Sequence, residues 1–516
     1  MKIVFRVDSS NLIGSGHFFR CKTLALVMQK RGIDVLFISR NLEGNLNYIL
    51  IEDKVPYVLL PELSKYLPLD LDAKENKYLK WLGVSIDTDA EETIQTISKL
   101  KPDWLIIDHY SLNIQWEKKL RPFVKNIMVI EDLLERIHDC DLILDQNYSK
   151  TYQLKYDKRI PSHTKKLLGP YYALLQPIYR TYRNELNNWE KVNKRILLFM
   201  GGSDNDNATS KVLRVLSSPD LEFYKVDVVV GANNKFISEI EDISRKRGNV
   251  MVHYSRPHLA DLMSNADMAI GATGGSTWER CCLGLPTLLI SISDDQIPSS
   301  IALNNESIAK YAGHINDLDV KELYLQIQNF VSDHVLLQKM KQRSMILVDG
   351  FGALRVAEYL SPSQKDSIYL RPANSSDLVQ YFLWANDPIV RKNAINTEVI
   401  SFESHTDWFN NSISNADRIM FVLESAGLPI GQIRFDIKEN TATIDYSVDD
   451  IARGRGLATI LVQEGIKEFS KVFSKEIHAL VRSENTYSRN VFLKCHFKEN
   501  KINEEFFFYT LCQSNN

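Results

Sequence analysis

Unbroken apolar runs recur through the first half of the chain, each ending in a polar or glycine-bearing turn and followed by helix-forming residues. Lys2-Ile3-Val4-Phe5-Arg6-Val7-Asp8 is the first, and the stretch from Phe18 to Lys30, closed by Gly32, predicts the helix after it. Similar runs follow at Asp34 to Ser39, Trp104 to Asp108, Ile127 to Asp132 and Leu142 to Asp145, with a helical stretch from Asp89 to Leu100. Runs without alternation predict strands buried on both faces, and strands alternating with helices predict a parallel sheet. A second series opens at Arg195 to Met200 and continues through Val226 to Gly231, Asp267 to Ile270 and Pro286 to Ser291. Helices are expected at about Ala208 to Leu216, at His258 to Ser264 and from Trp278 onward. Tyr171 to Lys194, charged and tyrosine-bearing, reads as a connector.

The pattern changes after Leu360, where Ser361-Pro362-Ser363-Gln364-Lys365-Asp366 has the composition of a linker. Beyond it, strands are expected at Ile368 to Arg371, Ile419 to Leu423 and Ile430 to Ile437. In the next, Thr441 to Val448, Ala442, Ile444, Tyr446 and Val448 alternate to one face. Helices around Asp377 to Trp384, His405 to Phe409, Leu457 to Phe469 and Ser488 to Lys494 complete the domain, with strands at Ile477 to Val481 and Phe506 to Tyr509. The organisation is therefore α/β: two Rossmann-like domains, residues 1–170 and 171–360, with a cleft between them, then an α+β domain with a mixed sheet over 366–516.

Composition narrows the function. A chain of 516 residues is too long for one core. A net charge of −3 gives no reason to expect nucleic acid or an acidic membrane as partner. No apolar run approaches a membrane span, and Met1-Lys2-Ile3 enters a strand without a signal-like segment. The six cysteines form no C-x-x-C pair, so a reducing, cytoplasmic setting is expected, and no metal.

Chemistry concentrates at the ends of the expected strands, where open α/β sheets bind ligands. Gly14-Ser15-Gly16-His17, with Arg20 a turn later, is a strand-to-helix turn whose glycines let a ligand approach and whose N–H groups can receive an anion. Asp8, Asp108-His109, Glu131-Asp132 and Asp145-Gln146-Asn147 end other strands. Turn formation is the plain alternative for each. In the second series, Gly201-Gly202-Ser203 and Gly274-Gly275-Ser276-Thr277, with Glu279 in the first helical turn, suit a nucleotide: N–H groups and hydroxyls on a diphosphate, a carboxylate on ribose hydroxyls. A capped helix with a favourable N-terminal charge is the competing reading.

Arg453-Gly454-Arg455-Gly456-Leu457-Ala458 lies between strand and helix, followed by Asn485, Ser488, Asn490 and Phe497. This pattern resembles the GNAT acetyltransferases over residues 366–512. The resemblance implies that the loop, with Val448 before it, holds the pyrophosphate of acetyl-CoA and that Asn485, or else Asn490, contacts the pantetheine arm. Where the family carries a tyrosine as proton donor to the leaving thiolate, this chain has Phe492, and His496 stands in place of the glycine before Phe497. Phenylalanine has no proton to give, so Tyr487 or a water is the candidate acid. Asp445 and Asp449 are candidate aids to amine deprotonation, with strand and turn formation the plain alternative for both. His405, near Trp408-Phe409, resembles acetyltransferases acting on amino sugars.

The first 360 residues resemble the two-domain glycosyltransferase B-type fold. More closely, Arg6-x-Asp8-x-Ser10-x-x-Ile13-Gly14-x-Gly16-His17-x-x-Arg20-Cys21, Ile107-Asp108-His109-Tyr110, Met200-Gly201-Gly202-Ser203-Asp204 and Asn304-Asn305 are similar to the UDP-2,4-diacetamido-2,4,6-trideoxy-β-L-altropyranose hydrolase family of pseudaminic acid synthesis. That resemblance implies inverting hydrolysis of a sugar–phosphate bond with loss of UDP. His17 would be the base for water, or else a donor orienting the sugar. Asp8, Ser10, Gly14, Gly16, Arg20, Asp108, His109 and Tyr110 would line the sugar site. Together the two resemblances imply a bifunctional enzyme that N-acetylates a UDP-linked 4-amino sugar and then removes UDP, in a bacterial cytoplasm beside other enzymes of the pathway. A glycosyltransferase with a non-catalytic acetyl-CoA-binding module is the alternative.

Overall fold

The computed structural model describes the chain except residues 62–77, 152–153, 155, 186–193, 203, 232–233, 255, 364–366 and 512–516. The expected site residue Ser203 therefore lies outside the described residues, as do parts of the expected connector and linker. The chain divides into two compact units, Met1–Leu360 and Ser361–Asn516.

The first unit contains two parallel sheets. The first has strand order β3-β2-β1-β4-β5-β6-β7. Its strands are β1 Lys2–Val7, β2 Asp34–Arg40, β3 Tyr57–Leu60, β4 Trp104–Asp108, β5 Asn126–Ile130, β6 Leu142–Asp145 and β7 Lys165–Leu168. The second has order β10-β9-β8-β11-β12-β13. It is built from β8 Arg195–Phe199, β9 Lys225–Val230, β10 Val250–Tyr254, β11 Met268–Gly271, β12 Thr287–Ser291 and β13 Lys310–His314. In each sheet the order reverses once, between β1 and β4 and between β8 and β11. Connections leave those neighbouring strands toward opposite faces, which opens a crevice at their carboxyl ends.

The sequence boundary between the two bodies is not a single cut. Helix Gly352–Leu360 has Ala353, Val356, Ala357 and Leu360 packed with Leu24, Val27 and Met28 of the first body. Arg31 pairs with Glu358 at 2.9 Å, and Trp104 Nε1 donates to the Leu360 carbonyl. The end of the unit thus completes the first sheet's cover, which a division at 170/171 does not convey. The expected connector contains helix Pro177–Glu185, whose Tyr179 joins the core of the second body.

The second unit is a mixed sheet of order β14-β15-β16-β17-β18-β20-β19. Its strands are β14 Ile368–Pro372, β15 Arg418–Ser425, β16 Leu428–Lys438, β17 Thr441–Val448, β18 Glu476–Arg482, β19 Lys498–Lys501 and β20 Phe506–Leu511. β17 and β18 are parallel and pair only from Thr441–Glu476 to Thr443–His478. Beyond Thr443 they part, so the rest of β17 keeps its ladder with β16 alone and a slot opens beside it.

Candidate functional site

The turn after β1 is shaped by its own polar groups. Ser10 Oγ accepts from the N–H groups of Leu12 and Ile13, and the Gly14 N–H donates to the Ser10 carbonyl at 2.8 Å. Gly14 adopts φ +82°, and a Cβ at Gly14 or Gly16 would meet nothing within 4 Å. The protein's own packing does not require glycine at 16; the space belongs to whatever occupies the crevice.

Helix Gly16–Lys30 presents His17 and Arg20 on one face, one turn apart. That face meets the end of β4. His17 Nδ1 lies 2.6 Å from Asp108 Oδ1. Arg20 grips the same carboxylate through Nε and Nη2, each at 2.6 Å. Burial alone would raise the pKa of Asp108, but Arg20 and His17 outweigh it and hold the group well below the usual carboxylate range. An ionised Asp108 can only accept, so a proton on His17 Nδ1 points to it and Nε2 is turned away from the carboxylate, with Arg20 Nη2 3.1 Å from the same Nδ1.

Arg20 also bridges to Asp132 after β5, at 3.0 and 2.7 Å. Asp132 accepts in turn from the Tyr110 hydroxyl at 2.8 Å and from Asn147 Nδ2 at 3.1 Å. The Tyr110 ring stands edge-on to His17 at 4.6 Å, and Trp81 stacks on Tyr110 at 5.2 Å. The ends of β1, β4, β5 and β6 thus converge on one hydrogen-bonded fan. Asp132, Asn147 and Trp81 were not among the expected site residues. The acidic and amide strand ends carried a signal for the first two; nothing in the local pattern marks Trp81.

Asp8 and His109 stand behind this fan. Asp8 is fully buried, paired with Arg6 at 2.6 Å and accepting from the Arg40 N–H at 2.7 Å. Its Oδ2 is 3.4 Å from His109 Nε2, and the Arg6 guanidinium reaches on to Asp89 at 2.6 Å. Asp8 Oδ2 and His109 Nε2 are buried and make no hydrogen bond within the described residues.

Across the first unit, the turn after β8 approaches the turn after β1: a Cβ on Gly202 would lie 3.9 Å from Ser15 Oγ. Gly201 adopts φ +93°. Gly202 is held from behind by Gly231, where a Cβ would fall 1.9 Å from the Gly202 carbonyl oxygen. Gly231→Ala is therefore expected to displace the Gly201-Gly202 turn at a cost of about 1–3 kcal/mol, read as a lower urea midpoint with unchanged slope.

The glycine run after β11 divides by role. A Cβ on Gly271 would strike Arg280 Nη1 at 2.2 Å, so that glycine makes room for a buried guanidinium. Arg280 Nη2 donates to the Ala272 carbonyl and to Thr277 Oγ1, and Thr277 Oγ1 also accepts from the Gly274 N–H at 3.1 Å. Thr277 is therefore buried and locks the loop; its hydroxyl is not presented outward. Gly274 and Gly275 are exposed with nothing near a Cβ, and Ser276 and Glu279 are half-buried. Burial pushes the Glu279 carboxyl up to about 7, against the lowering influence of Tyr179 and Arg280.

In the second unit, Gly454 and Gly456 both adopt φ +76° with open space around them, and helix Leu457–Ser470 starts directly after. Arg453 is anchored by the Val448 carbonyl and by Asp387 at 2.8 Å. Arg455 Nη2 donates to the Ser363 carbonyl at 3.3 Å. Leu457 and Ala458 form the first turn, and the slot beside β17 runs toward it. The open glycines at a helix start, with the slot beside them, fit a pyrophosphate with an extended arm.

Asn485 caps helix Thr486–Lys494, accepting from the Ser488 N–H, and its Nδ2 donates to Ser488 Oγ, each at 3.1 Å. Ser488 Oγ also accepts from the Tyr446 hydroxyl at 3.0 Å. Phe492 is buried among Tyr446, Phe497 and Tyr509. Tyr487 is 87 % exposed. Tyr446, which the alternation placed on a face without assigning it a role, is thus the phenol beside Phe492; burial pushes its pKa to about 12. His496 takes φ +66° just past this helix, the left-handed position that glycine usually fills.

Asp445 is half-exposed on β17, 3.2 Å from Gln432 Nε2 and 3.7 Å from Arg434. Asp449 accepts from Trp384 Nε1 and the Ile451 N–H, a structural role. His405 is buried among Phe382, Trp408 and Phe409, and burial lowers its pKa to about 4.

Comparisons with known proteins bear on the family and the fold. Residues 367–498 match the acetyltransferase (GNAT) domain family. An uncharacterised protein of Methanocaldococcus jannaschii is 22% identical over 98% of both chains. The UDP-2,4-diacetamido-2,4,6-trideoxy-β-L-altropyranose hydrolase of Campylobacter jejuni is 28% identical over 52% of this chain and 84% of its own. In fold, MurG of Acinetobacter baumannii covers 70% of this chain and 99% of its own, at 12% identity and TM-score 0.50. Among the described residues, no helix is long and apolar enough to cross a membrane. The chain thus joins two Rossmann-like bodies of glycosyltransferase B type, with homology to a UDP-sugar hydrolase over half its length, to a C-terminal GNAT acetyltransferase domain.

Proposed function

We propose that the first unit hydrolyses UDP-2,4-diacetamido-2,4,6-trideoxy-β-L-altropyranose to the free sugar and UDP, with inversion. The second unit would make that substrate by acetylating the 4-amino group of UDP-4-amino-4,6-dideoxy-N-acetyl-β-L-altrosamine from acetyl-CoA. The observation that carries the first half is the His17–Asp108 contact at the β1–β4 crevice. Water attacks the anomeric carbon while His17 Nε2 takes its proton, and the bond to the phosphate oxygen breaks with its electron pair leaving on UDP. Diphosphate needs no proton to leave, so one base suffices. Asp108 orients the ring and stabilises the imidazolium. Gly201, Gly202, Gly274, Gly275, Ser276 and Glu279 would hold UDP, and Arg20, Tyr110 and Ser10 would face the sugar.

In the second unit the turn Arg453–Ala458 would hold the pyrophosphate of acetyl-CoA. The amine attacks the thioester carbonyl, the C–S bond breaks, and the thiolate takes a proton. Tyr446, linked through Ser488, supplies that proton more directly than Tyr487. Asp445, open at the strand surface, is better placed than buried His405 to take one from the amine. Such a protein would work in a bacterial cytoplasm, in line with the other enzymes that build a surface or flagellar glycan.

Incubation with the diacetylated UDP-sugar and no acceptor tests the hydrolytic half: stoichiometric release of UDP supports it. A chain that holds the sugar nucleotide intact until an acceptor is added is a glycosyltransferase instead. For the second half, thiol release from acetyl-CoA should rise at least about tenfold on adding the UDP-4-amino sugar, and no rise would mark a non-catalytic module.

A further inference from the structure

Consecutive side chains of β17 project to opposite faces of the sheet. Tyr446, opposite Ile433, lies on the face covered by helix Leu457–Ser470, where a Cβ on Gly465 would strike Ile433 and Phe435 stacks on Phe469 at 4.4 Å. Asp445 lies on the other face with its neighbours Gln432 and Arg434 of β16. Both Asp445 and Tyr446 belong to the stretch of β17 that has parted from β18, so the slot has a carboxylate on one side and a phenol on the other. The carboxylate is held by one oxygen. Gln432 Nε2 donates to Asp445 Oδ1 at 3.2 Å, and Arg434 Nη1 stands 3.7 Å from the same oxygen. Arg434 is drawn elsewhere, its Nε to Asp436 at 3.3 Å and its guanidinium over the Trp408 ring at 5.3 Å. Asp445 Oδ2 makes no hydrogen bond among the described residues, and half of the side chain is open.

Gln432 is 6 % exposed, and its Oε1 is buried with no hydrogen-bond partner among the described residues. A carboxylate oxygen only accepts, so the amide must turn Nε2 toward Asp445 and Oε1 into the interior. A buried acceptor without a donor weakens the fold, and an apolar side chain of the same length would not incur that cost. Packing gives no reason for a glutamine here; the bond to Asp445 does. Resting on the acetyl-transfer reading above, we propose that Gln432 is a positioning residue that fixes Asp445 Oδ1 so that Oδ2 faces the ammonium group of the acceptor. Oδ2 takes a proton from that group, and the freed electron pair attacks the thioester carbonyl carbon. The C–S bond then breaks with its pair on sulfur, which is protonated from the Tyr446 side. The acceptor so recognised is a primary amine that arrives as a cation on the face opposite Tyr446.

The test is acetyl transfer by the full chain, followed as thiol release from acetyl-CoA with the UDP-4-amino sugar, for Gln432→Met, Asp445→Asn and the double variant. Methionine keeps the length of the side chain and removes both amide atoms. In Gln432→Met, kcat is expected to fall about 10- to 100-fold, with the KM for acetyl-CoA unchanged. Its urea midpoint should equal or exceed that of the wild type, because the orphaned carbonyl is gone. The double variant should be no slower than Asp445→Asn, since an amide that acts through the carboxylate then has nothing left to position. Losses that multiply in the double variant, or full activity in Gln432→Met, overturn the proposal and leave Asp445 as the proton acceptor. A Gln432→Met chain that unfolds at lower urea, or does not fold, marks the amide as structural and overturns it likewise. Full activity in Asp445→Asn overturns both the proposal and the role of Asp445.

Discussion

His17→Ala is expected to lower UDP release about 100- to 10,000-fold, with acetyl transfer unchanged. The size follows from the removal of a proton acceptor whose orientation is fixed by an ionised carboxylate. The specificity of the effect follows from what remains. Arg20 still holds Asp108 by two bonds of 2.6 Å and Asp132 by two more, so the fan survives without the imidazole. The variant should therefore keep the wild-type unfolding midpoint to within about 1 kcal/mol and accumulate the acetylated UDP-sugar. Single-turnover UDP release, followed with purified UDP-sugar, reads the loss directly. A variant that retained more than about a tenth of the wild-type rate would show that another group takes the proton from water.

His138→Leu should cost about 3–5 kcal/mol of stability, the largest effect of any single substitution expected away from the crevice. His138 is buried between Glu117 and Glu131, its two ring nitrogens each 2.6 Å from a carboxylate oxygen. Burial alone would lower its pKa, but the two carboxylates outweigh it and raise it to about 9. The same contacts, with Arg136, bring Glu131 down to about 2 against its own burial. Leucine fills the volume and leaves Glu117 and Glu131 facing each other without the cation between them. The folded value for His138 lies above the ordinary histidine value. Its contribution is therefore complete below about pH 6.5 and disappears as pH rises through about 9. The stability difference between wild type and variant, from urea unfolding, should shrink by about 3 kcal/mol between pH 6 and pH 10. Glu279, raised to about 7, also weakens the fold as pH rises, and cancels in that difference.

The cost reaches the site because this cluster holds it from behind. Glu131 Oε1 accepts from the N–H groups of Asp132 and Leu133, and Arg136 Nη1 donates to the carbonyls of His109, Tyr110 and Leu112. Asp132 and Tyr110, the two groups beside Arg20 and His17, are thus placed by buried charge and not by the loops' own preferences.

Several elements could be read from the residues alone for one physical reason: a buried strand in a parallel sheet is apolar throughout, and a half-buried one alternates. β4 and β6 follow the first rule up to their terminal aspartates, β1 does so after its first residue except at Arg6, and β17 runs over Thr441–Val448 as its alternation indicates. Two of the edge strands obey neither. β7, Lys-Lys-Leu-Leu, and β19, Lys-Glu-Asn-Lys, carry the charges that protect a sheet edge and so look like loops. β3, β10 and β13 are edge strands too, and the pattern announced none of them.

The site shows the same division. His17, Arg20, Asp108 and Tyr110 stood out as polar residues at strand ends, but their meeting depends on β1 and β4 being neighbours, a matter of strand order. Asp8 looked equally exposed in the sequence. It is buried because Arg6, two residues earlier on the same side of β1, neutralises it inside the sheet. Thr277 and Asn485 resembled ligand-facing groups. Each is engaged by local backbone N–H groups, Thr277 by Gly274 and Asn485 by Ser488, and short polar side chains at helix starts commonly do this. Phe492 was legible as a departure. What the residues alone did not reveal is that Tyr446 brings a hydroxyl to the same helix from the adjoining strand.

Acetylation followed by hydrolysis on one chain is read out by mass spectrometry of the products formed from UDP-4-amino-4,6-dideoxy-N-acetyl-β-L-altrosamine with and without acetyl-CoA. Free 2,4-diacetamido-2,4,6-trideoxy-altrose and UDP are expected only when acetyl-CoA is present, with the acetylated UDP-sugar accumulating in the His17→Ala variant. An acetylated UDP-sugar that the wild-type chain never cleaves, or UDP released without any acetyl transfer, would contradict it.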